Sequence, residues 1–190
     1  MSHLVRRRGR HHISTDPGEL DLEVVHGFLT TSYWAAGITR ELVERSISGS
    51  ISFGLYEDGR QVGFARVISD RTTFAWIADV FVLPEARGQG LGAWLIETIV
   101  SHPELQGLRR WFLATRDAHR LYAKFGFGPL INPERMMEFR PAYTPSATVA
   151  PGPSARVAPG PSATAGPGSS STESGTVPAP TKLRIRSSGH

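Results

Sequence analysis

The chain has 190 residues, 39% of them hydrophobic, no cysteine and a formal net charge of +4. That length holds one domain with residues to spare; the lack of Cys excludes disulfides, thiolate nucleophiles and Cys-ligated metals, and no apolar run approaches the roughly 18–20 residues of a membrane-spanning helix. The basic excess sits at the two ends, so residues 11–144 carry 13 basic and 16 acidic residues and offer no basic platform for specific nucleic-acid binding.

Residues 1–10, MSHLVRRRGR, read as a basic N-terminal arm without the apolar segment of a signal peptide. HHIST (11–15) is a short strand candidate, and Asp16-Pro17-Gly18 is a turn before Leu22, Val25, Phe28 and Leu29, which recur at helical spacing. TRELVERSISG (39–49) predicts a second helix with Thr39 as N-cap and Gly49 as stop. ISFGLYE (51–57) and RQVGFARVIS (60–69) flank Asp58-Gly59, the signature of a β-hairpin with a type I′ turn. TFAWIADVFVL (73–83) is a long apolar strand ended by Pro84, and its composition suits a central position. GLGAWLIETIVSH (90–102) predicts a helix, LRRWFLAT (108–115) a strand, DAHRLYAKFG (117–126) a short helix, and residues 135–139 a last strand. Trp76, Trp94 and Trp111 read as core residues.

The order β-α-α-β-β-β-α-β-α-β is α+β with a mixed, mostly antiparallel central sheet flanked by helices, because a strand–helix–strand step in the middle needs a crossover. The domain is expected over residues 11–143. Residues 144–190 hold three tandem octapeptides, PSATVAPG, PSARVAPG and PSATAGPG, and no Phe, Trp or Tyr. That composition cannot build a core and predicts a disordered C-terminal tail.

The chemistry concentrates in DVFVLPEARGQGLGAWLIE (79–97). A strand runs into a loop, Arg87-Gly88-Gln89-Gly90-Leu91-Gly92, and a helix starts inside it. Glycines leave the backbone N–H groups unobstructed at the positive end of the helix, a ready site for phosphate. The spacing is neither a dinucleotide fingerprint nor a P-loop. Asp79 is the best-placed carboxylate: its neighbours are apolar, so it would be partly desolvated and suited to take a proton. Glu57, Asp70 and an ordered water chain are competitors for that role. No metal site is indicated, since His11 and His12 would point to opposite faces of a strand.

The loop resembles the signature of the GNAT superfamily of N-acetyltransferases, Arg/Gln-x-x-Gly-x-Gly/Ala, here Arg87, Gly90 and Gly92. A second motif is similar to that family's Ala-x-x-Leu-Tyr-x-x-x-Gly-Phe helix, here Ala118, Leu121, Tyr122, Gly126 and Phe127, with Asp117 where Asn is common. The resemblance covers about residues 11–140. It implies acetyl-CoA as cosubstrate, its pyrophosphate on the amides of Arg87, Gly88, Gln89, Gly90, Leu91, Gly92 and Ala93, and its pantetheine arm along the backbone of Phe81 and Val82. It also implies Tyr122 as proton donor to the departing thiolate, where the residues alone allow a core tyrosine. Tyr33 and Trp34 fall where the family's acceptor groove lies, and they equally suit packing between helices; His119 reads as a solvated histidine.

The expected function is transfer of an acetyl group from acetyl-CoA to a primary amine, with a small molecule favoured as acceptor. A protein N-terminal or lysine acetyltransferase and a non-catalytic CoA-binding regulatory module are the alternatives. The expected partners are acetyl-CoA and the amine, with no membrane, a homodimer left open and a cytoplasmic location.

Overall fold

The computed structural model describes residues 3–139. The octapeptide tail expected to be disordered lies outside them.

Ten principal elements follow one another: β1 (Val5–Arg8), β2 (His11–Ser14), α1 (Leu22–Leu29), α2 (Arg40–Ser48), β3 (Ile51–Glu57), β4 (Arg60–Ser69), β5 (Phe74–Val82), α3 (Leu91–Val100), β6 (Arg110–Leu113) and α4 (His119–Ala123). They form a six-stranded sheet in the order β1-β2-β3-β4-β5-β6. Every pairing is antiparallel except β5 with β6, which is parallel and bridged by α3 as the crossover requires. Among the described residues no helix is long and apolar enough to cross a membrane.

Short-range signals set most boundaries. Asp21 caps α1 by accepting from the N–H groups of Glu23 and Val24, and Thr39 caps α2 by accepting from Leu42 N–H. The β3–β4 turn places Asp58 and Gly59 at φ 49° and 84°, the left-handed pair that a type I′ hairpin needs. Pro84 ends β5 and opens a short 3-10 turn, Pro84–Ala86.

Two differences from the sequence reading stand out. Val5–Arg8, within the expected basic arm, is a strand paired with β2 from Val5↔Ser14 to Arg8↔His11; all four residues are exposed, so no burial pattern marks it in the sequence. Residues 135–139, expected to form a last strand, do not pair with β6. A 3-10 turn, Pro133–Arg135, takes in the first of them, and Met137 and Phe139 are exposed.

The sheet carries a core on each face. Ile13, Phe53, Leu55, Val67, Ala75 and Ile77 pack with Leu91, Leu95, Ile96 and Ile99 of α3. On the other face Phe64 and Phe81 meet Val25, Leu29 and Val43 of α1 and α2. β5 changes sides between them. Ala75 and Ile77 belong to the α3 face, yet beyond Asp79 it is Val80 and Val82 that pack there while Phe81 turns to the α1–α2 face. The cause is a bulge: Arg66 faces Ala78 and Phe64 faces Phe81, so Asp79 and Val80 together oppose one residue of β4.

Candidate active site

The β5–β6 pairing runs from Phe74↔Arg110 to Ile77↔Leu113 and stops. β6 ends there and β5 bulges, so the two strands part. The opening is a cleft of about 890 Å³. β5 lines it with Asp79, Phe81 and Val82, the α1–α2 loop with Tyr33 and Trp34, β4 with Arg66, the connection after β6 with Thr115, Arg116 and Asp117, and α4 with Tyr122.

Arg87, the first residue of the glycine loop, also lines the cleft, whereas Gly88 to Ala93 lie outside the lining. Gly88 and Gly90 take φ 80° and 76°, conformations that cost other residues strain. A Cβ on either would meet nothing within 4 Å, so both face open space. Gly90 is the N-cap of α3 and supplies no side-chain cap, so Leu91, Gly92 and Ala93 open the helix with backbone donors alone, at the positive end of its dipole. Arg87 folds back: its Nε donates to Val82 O at 2.9 Å. This occupies one of the carbonyls that the resemblance implied for pantetheine. Gln89 is exposed on the loop.

Asp79 has φ 54°, an uncommon conformation for a residue other than glycine. Its surroundings differ from the apolar ones expected. Arg66 Nε binds its Oδ2, and Trp34 Nε1 donates to its Oδ1 at 3.2 Å. The ion pair is largely shielded, the Asp79 side chain being 10% exposed and that of Arg66 19%. The other two candidate bases lie outside the cleft lining. Glu57 binds Arg10 at 2.5 Å and His11 at 3.1 Å at the hairpin end of the sheet. Asp70 closes the β4–β5 turn, accepting from the Thr73 hydroxyl and from the N–H groups of Thr72, Thr73 and Phe74. These bonds, the Thr73 hydroxyl first, hold its carboxyl well below the usual range.

Tyr122 is 8% exposed, and its ring meets Phe127 edge-on at 6.0 Å. Its hydroxyl makes no hydrogen bond among the described residues. Burial, with a smaller push from Tyr33, raises its phenol to about 12. Tyr33 is half-exposed: its hydroxyl accepts from Arg116 N–H at 3.2 Å, and the Arg116 guanidinium lies 3.9 Å from its ring centroid. Trp34 meets it edge-on at 4.9 Å. His119 is exposed and outside the lining, and Asp117 pairs with Arg116 while Thr115 Oγ1 accepts from Ala118 N–H at the start of α4. Trp76 reaches the cleft, whereas Trp94 and Trp111 pack on the α3 core.

The cleft therefore gathers Asp79, Phe81, Val82, Arg87, Tyr33, Trp34 and Tyr122. Sequence reasoning missed Arg66 and Arg116. The available signal for Arg66 was a charge at an interior position of an otherwise apolar strand, QVGFARVIS, beside a strand with its own buried-position Asp.

Residues 48–129 match the family model of the acetyltransferase (GNAT) domain. A Gibberella zeae protein described as an acetyltransferase is 32% identical over 140 residues, which span 62% of this chain and 78% of that protein. The crystal structure of a GNAT-family protein from Xanthomonas campestris pv. campestris is 49% identical, with a TM-score of 0.68 over 73% of this chain and 96% of the other. A Staphylococcus aureus protein shares the fold at 25% identity and a TM-score of 0.56, covering 68% of this chain and 98% of its own. The span matched by the family model takes in both strands that part, the glycine loop between them and the helix that carries Tyr122, and with relatives at these identities and coverages the chain belongs to the GNAT family of acetyltransferases.

Proposed function

We propose that the protein transfers an acetyl group from acetyl-CoA to the nitrogen of a primary amine, with a small molecule as acceptor. The observation that carries this is the start of α3. Two left-handed glycines facing open space and an uncapped helix N-terminus leave a row of backbone donors with nothing between them and a ligand, the arrangement that suits a pyrophosphate. The amides of Gly88 through Ala93 take that role here; the Arg87 N–H, expected among them, already donates to Pro84 O at 3.3 Å. The edge of β5 from Ala78 to Phe81, beyond the last pair with β6, is the surface along which the pantetheine arm runs toward the middle of the sheet, with Val82 O already taken by Arg87.

Chemically, the amine nitrogen forms a bond to the thioester carbonyl carbon, the carbon–sulfur bond breaks, and the electron pair leaves on sulfur. A free amine of pKa near ~10.4 is almost wholly protonated at neutral pH, so a proton must leave it first, through water in the open cleft. Tyr122 supplies a proton, or a hydrogen bond that stops short of full transfer, to the sulfur. Burial keeps the phenol protonated to about 12, so it remains a hydrogen-bond donor, while full transfer to a thiolate whose acid has a pKa near ~8.5 becomes more uphill. Tyr33 and Trp34 flank the acceptor.

The test is binding followed by turnover. Acetyl-CoA at 100 times its dissociation constant should stabilise the fold by about 2.7 kcal/mol, and Gly90→Glu should abolish that shift. The new carboxylate opposes the pyrophosphate, and melting of the variant without ligand reports any separate strain from φ 76°. CoA release across a panel of small amines and peptides then names the acceptor class. A normal acetyl-CoA shift in Gly90→Glu overturns the loop assignment, and binding without turnover on any amine overturns the enzymatic one.

A further inference from the structure

The carboxylate of Asp79 is spoken for on both oxygens, and its two partners come from different parts of the fold. Arg66 belongs to β4, in the middle of the sheet, and Trp34 to the loop between α1 and α2. Asp79 itself sits in the bulge, at φ 54°, where a short polar side chain is tolerated and still needs holding. The Arg66–Asp79 pair is shielded from water, so it holds its geometry better than a surface pair would. Trp34 is 42% exposed, and the bond to Asp79 is the hydrogen bond that ties its indole to the sheet. One carboxylate thus links the wall of the cleft made by β5 to the wall made by the α1–α2 loop.

We propose that Arg66 is a positioning residue for the acceptor: it fixes Asp79 in the left-handed bulge, which aims the other carboxylate oxygen at Trp34 and so sets the acceptor side of the cleft. Asp79 in this arrangement orients and does not itself take the proton. The proposal rests on the acetyl-transfer reading for what the cleft binds, and on the two bonds alone for the latch.

Arg66→Ala would leave a shielded carboxylate unpaired and risks unfolding, so the informative variants are Arg66→Lys, which keeps the charge, Trp34→Phe, which removes only the indole donor, and Asp79→Asn. Each is made in the full chain. Steady-state kinetics use an amine that the wild type acetylates, and hydrogen exchange is followed over residues 30–38 and 78–82. All three variants should raise the acceptor KM about tenfold, the loss expected for one hydrogen bond to a charged group. They should leave kcat and the acetyl-CoA KM within about threefold, and Arg66→Lys with Trp34→Phe should add little to either alone, because both act through Asp79. Exchange over 30–38 should quicken in Arg66→Lys although the Arg66 ion pair is with Asp79 of β5 and not with that loop. The proposal is overturned by unchanged exchange over 30–38 in Arg66→Lys, by an unchanged acceptor KM, or by an Asp79→Asn enzyme whose kcat falls while KM holds and whose pH–rate profile loses its acid limb. The last result makes Asp79 the proton acceptor. The exchange arm needs no turnover, so an inactive wild type sinks the acetyl-transfer reading and leaves the latch to be decided by exchange.

Discussion

Phe81 stacks face to face on Phe28, with ring centroids 3.9 Å apart and planes 10° from parallel. The contact exists because the bulge at Asp79 turns Phe81 away from the α3 face, where the earlier alternation of β5 would have sent it. It joins α1 to the stretch of β5 that borders the cleft. Phe28→Ala should therefore cost about 2–4 kcal/mol of stability, toward the lower end because Phe28 is only partly buried. Urea unfolding checks this: the midpoint should fall with the slope unchanged. A loss under about 0.5 kcal/mol would mean that the stack carries little of the packing.

Under the proposed mechanism Tyr122→Phe should lower kcat by roughly 10–10³-fold and leave acetyl-CoA affinity nearly unchanged, because the hydroxyl would act on a charge that grows only as the bond to sulfur breaks. Stability should hardly move at neutral pH, since the ring contact with Phe127 stays. In alkali the sign is definite. The folded phenol titrates near 12 and the unfolded one near ~10, so above pH ~10 the unfolded chain holds fewer protons and stability falls by up to ~1.4 kcal/mol per pH unit. The variant lacks that part of the fall. Unchanged kcat would demote Tyr122 to a core residue, and equal losses in kcat and affinity would make it a binding group.

Tyr56 is buried, 3% exposed, and its hydroxyl has no partner among the described residues. Burial, with the nearby carboxylates of Glu19, Asp16 and Asp21, pushes this phenol far up. Tyr56→Phe should raise stability by about 1 kcal/mol, since an unsatisfied buried hydroxyl is removed and the stack on His12 at 4.6 Å is kept. Its neighbour sets the opposite case. A Cβ on Gly54 would lie 2.6 Å from Tyr56 Cζ, so Gly54→Ala should cost about 1–3 kcal/mol through displaced packing. Thermal melting of the two variants against wild type decides both; a less stable Tyr56→Phe would reveal a bonded hydroxyl.

His102 is 5% exposed and packs edge-on against Phe53 at 5.6 Å. Its Nδ1 accepts from Glu104 N–H at 3.2 Å, which requires that nitrogen to be unprotonated. Burial holds its pKa below the usual value. The unfolded chain therefore takes up the proton first as pH falls through ~6.5, and the stability His102 contributes above that pH is lost as pH drops toward the folded value. His102→Asn keeps an acceptor for Glu104 N–H and should flatten the loss of stability as pH falls below ~6.5. Denaturation midpoints across that range measure it, and an unchanged slope would show that His102 titrates alike in the folded and unfolded chain.

Much of this protein was legible because its signals are short-range. Thr39 and Gly49 bracket α2, Asp58-Gly59 makes the hairpin turn, Pro84 stops β5, and Gly88 and Gly90 mark the start of α3. Each acts through its own backbone or the next few residues, so the string of letters carries it. The parallel β5–β6 pair also followed, because a helix between two strands leaves few topologies.

β1 was not legible. Its four exposed residues bury nothing, so neither alternation nor apolar content distinguishes a strand from a basic arm, and pairing with β2 around Gly9 supplies the difference. Residues 135–139 err the other way: their apolar letters suggest a strand, but a strand needs an edge that accepts it. The same holds at the cleft. The sequence by itself determined which residues could hold a phosphate and donate a proton, because those capacities belong to side chains and to glycine backbones. Only the tertiary structure decided what Asp79 touches. Its bulge comes from the register of β5 on β4, and its partners, Arg66 and Trp34, stand 13 and 45 residues away along the chain, at distances over which no local pattern of residues can specify an encounter.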